Sequence, residues 1–68
     1  MSAELFQLEQ DEELRIEVDC PKATVELKLG MAEIFGTEMV RKTLYVFRCG
    51  AKFSVFTFHG CQIIVSLV

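Results

Sequence analysis

Three stretches of this chain alternate apolar and polar residues with a period of two. Leu14, Ile16 and Val18 interleave with Glu13, Arg15 and Glu17. Val25, Leu27 and Leu29 interleave with Thr24, Glu26 and Lys28. Cys61, Ile63, Val65 and Leu67 share one face of a last stretch. Successive side chains of a strand point to opposite sides, so each stretch reads as a half-buried β-strand. Asp19-Cys20-Pro21-Lys22 separates the first two, because proline cannot donate to a ladder. The second stretch then reads as the antiparallel hairpin partner of the first.

The remaining segments fit the same pattern. Phe6 and Leu8 share a face of residues 4–9, and Glu9 to Glu13 reads as an acidic turn. Gly30 and Gly36 bracket five residues, too few for a stable helix. Met31 to Phe35 therefore reads as a short strand with glycine turns at both ends. Glu38 to Lys42 reads as a loop, with Met39 and Val40 covering a core edge. Thr43 to Arg48 has few polar positions and reads as a strand covered on both faces. Lys52 to Phe58 has mixed parity: Phe53 and Val55 point one way, and Phe56 and Phe58 point the other way or lie across a bulge. Cys49-Gly50-Ala51 and His59-Gly60 are turns. The sum is about seven short strands, the spacing of an all-β fold, a small antiparallel β-sandwich. The chain ends on IIVSLV, an apolar strand expected to need a neighbour. On that ground residues 1–68 read as a module incomplete at its C-terminal end.

Composition narrows the function classes. A chain of 68 residues is one small domain, and 51% hydrophobic residues suffice for a core. No apolar run approaches the roughly 20 residues of a membrane helix, and the acidic start lacks the basic and apolar regions of a signal peptide. No membrane partner is expected. Three cysteines without C-x-x-C spacing read as reduced thiols rather than a zinc site, a Cys49–Cys61 bridge being the alternative. Residues 1–19 carry a net charge of −6 and residues 20–68 one of +3. That reads as a solvated acidic lead strand beside a basic neighbour, or as a polar seam for another domain. An acidic chain also argues against non-specific nucleic-acid binding.

The residues needed for catalysis are missing. No glycine is followed by lysine, so there is no phosphate loop of the G-x-x-x-x-G-K-[ST] type. His59 is the one histidine, with no serine–aspartate set spaced around it. Glu12 and Glu13 face opposite ways in a strand and form no acid–base pair. Phe53, Phe56 and Phe58 beside Lys52 suit base stacking, but in so small a domain they suit the core better. Direct RNA binding is thus the weaker expectation.

Two strings carry a resemblance. AEIFGTE (Ala32 to Glu38) and GAKFSVFTFHGC (Gly50 to Cys61), with Glu13-Leu14-Arg15 upstream, are similar to the N-terminal domain of the eukaryotic (Clp-type) polyribonucleotide 5′-hydroxyl kinases of the pre-mRNA cleavage factor. The resemblance runs in one register from about Phe6 to Val65. It implies a non-catalytic β-sandwich packed on a P-loop kinase domain in cis, in a nuclear protein of mRNA processing and polyadenylation. It further implies partners among pre-mRNA cleavage factor and tRNA splicing endonuclease subunits. The cofactor implied is ATP, held at its base end by Glu13, Lys52 and Phe35. A carboxylate accepts from an adenine amino group and a lysine donates to a ring nitrogen. A surface ion pair between Glu13 and Lys52 is the competing expectation. Phe58 departs from the family, which often carries Trp there, and so lacks an indole donor. The alternative function is a stand-alone RNA-binding or protein-interaction β-module.

Overall fold

The computed structural model describes residues 2–68. Eight strands run in order: β1 (Ser2–Leu8), β2 (Glu13–Glu17), β3 (Lys22–Gly30), β4 (Glu33–Ile34), β5 (Thr37–Glu38), β6 (Tyr45–Arg48), β7 (Lys52–Phe56) and β8 (Cys61–Leu67). They form two four-stranded antiparallel sheets. The first has the order β1-β8-β3-β6 and the second β2-β7-β4-β5. The all-β sandwich expected from the alternation is the fold observed. Val25, Leu27 and Ile63 from the first sheet meet Val55 from the second, each at most 2% exposed. Burying such a side chain contributes about 1.5–3 kcal/mol.

Several local expectations change once pairing is seen. β2 and β3 are not hairpin partners: β2 pairs β7, and β3 lies between β8 and β6. The Pro21 turn carries the chain from one sheet to the other. It runs beside the β6–β7 turn, tied to it by Gly50 N–H to Val18 O (2.8 Å) and Cys49 N–H to Pro21 O (3.2 Å). β8 is not a bare edge, since β1 flanks it on one side and β3 on the other. Leu29 is 49% exposed rather than inward, because the β3–β8 register shifts between Leu27 and Leu29. β6 is covered on one face only, leaving Val46 exposed. Met39 is buried as expected, whereas Val40 faces solvent.

The expected Met31–Phe35 strand shrinks to Glu33–Ile34. Phe35 and Gly36 form a two-residue hairpin turn with φ of 54° and 73°. Both values lie in the left-handed region that such turns demand. The hairpin adds the short β5, so the count is eight strands rather than about seven. In β7 the parity resolves without a bulge: Phe53, Val55 and Thr57 point inward, and Phe56 and Phe58 outward.

Thr57 closes one end of the sandwich. Its N–H donates to Glu12 O (3.1 Å) and its carbonyl accepts from Asp11 N–H (2.9 Å). Its hydroxyl donates to Met31 O (2.6 Å) and accepts from Gly60 N–H (2.8 Å). Gly30, at φ 81°, approaches so closely that an added Cβ would lie 2.4 Å from the Gly60 carbonyl oxygen. Cys61 sits beside this knot. Burial raises its thiol above the ordinary value, and a hydrogen bond with Thr57 offsets part of the rise.

This end generates two predictions, and the three cysteines a third. Thr57→Val keeps the shape but orphans Met31 O and Gly60 N–H, which costs about 1–3 kcal/mol. At about 4–8 °C per kcal/mol for a domain this size, the thermal midpoint should drop by roughly 5–20 °C in calorimetry. The raised Cys61 thiol favours the neutral form in the native state. That contribution is complete below the ordinary thiol range and is lost as pH climbs through the native value. Stability should therefore fall at alkaline pH more steeply in the wild type than in Cys61→Ala. Alkylation followed by mass spectrometry should label exposed Cys49 first and buried Cys61 last.

Candidate functional site

The outward faces of β2 and β7 carry two of the three expected site residues. Glu13 stands opposite Phe56, and Lys52 opposite Glu17. Directly paired residues share a face, as do residues two and four apart in a strand. Glu13, Arg15, Glu17, Lys52, Ser54 and Phe56 therefore lie on one side, away from the core. Glu13 and Lys52 are both exposed there. They stand at opposite ends of the ladder, four residues apart along it, which is roughly 13 Å. The register thus makes Glu17, not Glu13, the cross-strand neighbour of Lys52, so the competing Glu13–Lys52 ion pair does not arise from this ladder.

Phe35 lies elsewhere. It caps the β4–β5 hairpin on the open side of the sandwich, 75% exposed. Its ring centroid is 6.5 Å from that of Phe47 and 6.3 Å from that of Phe53, while Phe47 and Phe53 stack at 3.8 Å. Beside it, Ile34, Met39, Tyr45, Val46 and Phe47 line an apolar groove of about 290 Å³. The Tyr45 hydroxyl accepts from Val40 N–H at 2.8 Å and holds the loop against β6. A non-glycine residue in the left-handed region costs on the order of 1–2 kcal/mol, so the hairpin holds this ring outward against a backbone cost.

Glu13 offers a hydrogen-bond acceptor and Lys52 a donor on one exposed face. Bridging both ends of the ladder needs the Lys52 side chain extended along β7. Phe35 does not share that face. Of the aromatic trio, Phe53 is core, Phe56 half-buried and Phe58 half exposed. His59 lies exposed in the β7–β8 turn. Among the described residues, no group of three or more His, Cys, Asp or Glu is arranged to hold a metal ion. Among the same residues, no helix is long and apolar enough to cross a membrane.

Register exposes one feature that sequence reasoning passed over. Glu13, Phe56, Glu33 and Glu38 form a single row across β2, β7, β4 and β5. Next to it, Met31, Phe58 and His59 complete a cleft of about 210 Å³ with Glu33, Glu38 and Phe56. Within the string AEIFGTE both glutamates were visible, but their facing one another depends on the Phe35-Gly36 turn.

Fold and faces define a β-sandwich module whose polar and aromatic groups are presented on its surfaces. A family model described as the N-terminal beta-sandwich domain of polyadenylation factor matches residues 7–67. The chain belongs to this family. It is 50% identical over 62 residues to the human polyribonucleotide 5′-hydroxyl-kinase Clp1, covering 90% of this chain and 15% of that protein. It is 52% identical over 60 residues to the CLP1 homologue of Anopheles gambiae, covering 85% and 14%. The chain thus spans about 15% of the length of the curated relatives it matches. A solved structure of the extended interface between Pcf11p and Clp1p superimposes with a TM-score of 0.84 over 97% of this chain and 16% of its own. Sequence identity there is 21%, so that likeness speaks for the fold. Residues 7–67 correspond to the β-sandwich domain, and the 68 residues contain no G-x-x-x-x-G-K-[ST] phosphate loop.

Proposed function

We propose that this domain serves as the non-catalytic N-terminal module of an RNA 5′-hydroxyl kinase that is also a subunit of the pre-mRNA 3′-end cleavage factor. In this role it packs on the P-loop kinase domain in cis and holds the base end of ATP. The observation that carries the reading is the exposed face of β2 and β7, where Glu13 and Lys52 both project, in a domain of this family. Packing on a neighbour is supported by the open apolar side, where Phe35, Val40, Leu44 and Val46 are each more than half exposed. Patches of this kind mark interaction surfaces. The kinase name of the relatives supports ATP as the cofactor and an RNA 5′-hydroxyl as the parent protein's substrate. Partners among cleavage factor and tRNA splicing endonuclease subunits, and a nuclear location, belong to the same proposal. Stand-alone RNA binding is less favoured, since three glutamates share a row with Phe56 and would repel phosphate.

In a full-length kinase carrying this domain, Glu13→Ala and Lys52→Ala should each weaken ATP binding. A hydrogen bond with one charged partner contributes about 1.5–3 kcal/mol. Losing it weakens binding about 10- to 100-fold. RNA affinity should stay unchanged. Nucleotide titrations read beside thermal midpoints test this. Unchanged ATP affinity in both variants removes the nucleotide role, and weaker binding with a collapsed midpoint indicates a folding defect.

A further inference from the structure

We infer that the cleft between the β4–β5 hairpin and the β7–β8 turn receives an arginine side chain from a polypeptide partner. The β4–β5 register sets Glu33 directly opposite Glu38 on the outward face. Like charges directly opposite one another on a sheet repel. Glu33 is half-buried and Glu38 exposed. No lysine or arginine is among the residues that line the cleft. Its other wall is aromatic. The rings of Phe56 and Phe58 meet edge to face, with centroids 4.7 Å apart and planes at 80°. Phe58 is 52% exposed and Met31 49%.

A guanidinium suits this arrangement on three counts. Its positive charge is attracted by both carboxylates and relieves their mutual repulsion. Its fork of N–H donors matches carboxylate oxygens bidentately. Its flat, weakly hydrated face stacks on the exposed Phe58 ring, with Met31 covering the methylene stem. A lysine would gain the charge term but lose the fork and the stacking. A phosphate-bearing ligand is repelled by the same carboxylates, so the occupant is a protein segment. None of Glu13, Lys52 and Phe35 lines this cleft, although Glu13 borders it opposite Phe56.

The test titrates the 15N-labelled chain at low salt with N-acetyl-arginine amide and, in parallel, with its neutral citrulline counterpart. Arginine should produce saturable shifts confined to Ala32–Glu38 and Phe56–His59, and citrulline should not. The double variant Glu33→Gln/Glu38→Gln should weaken arginine binding by about fivefold to tenfold. Its thermal midpoint should hold or rise, because a repulsion has been removed. Phe58→Leu should weaken binding about threefold by loss of the ring face. Equal shifts with citrulline, shifts spread over the acidic 9–17 segment, or wild-type affinity in the double variant would each overturn the inference. So would an oligoribonucleotide that shifts the same amides while arginine does not.

Discussion

Four hydrogen bonds with backbone groups converge on Thr57, and three chain segments distant in sequence are held by them. The residue links the β1–β2 turn, the β3–β4 connection and the β7–β8 turn. It is fully buried, so its hydroxyl has no water to fall back on. The Gly30–Gly60 approach is possible only because Gly30 lacks a Cβ, and both glycines hold left-handed conformations. That contact brings the end of β3 against the start of β8. From there the register of the first sheet, and the position of the cleft beside His59, follow.

The surface divides along the same lines. The outward face of the second sheet is charged and aromatic, and the open side along β5 and β6 is apolar. Phe35 sits at the boundary, raised outward by its turn. A domain whose two exposed surfaces differ this much in chemistry presents each to a different kind of contact. The apolar side suits a dry contact with another domain. The charged face suits hydrogen bonds with one charged partner, the kind that confer specificity.

Much of this was legible in the residues. Alternation at Leu14–Val18, Val25–Leu27 and Cys61–Val65 marks the strands because one face of each meets the core. Glycines and Pro21 mark the turns for steric reasons. Pairing was less legible. Pro21 signals a break but not that the chain changes sheet there. The hydrogen bonds that fix this corner come from Cys49 and Gly50, nearly thirty residues away. Thr57 reads as polar, yet it takes an inward position because its hydroxyl finds two backbone partners. The faces of Glu13 and Lys52 could be read from parity, but their separation could not, since it depends on register. Phe35 was visible as a ring between turn residues, whereas the side it occupies is set by the hairpin.

The place of β8 has a consequence for how the molecule comes into being. It lies between β1 and β3, and its final backbone contact joins Val68 N–H to Lys22 O. During translation β1 and β3 emerge long before the strand that belongs between them. The first sheet therefore cannot zip outward from an early hairpin, and its central ladder waits until β8 has been made. Folding dominated by such distant pairings is slow and leaves apolar strands transiently bare. Until β8 is in place, β1 and β3 each lack the neighbour that joins them.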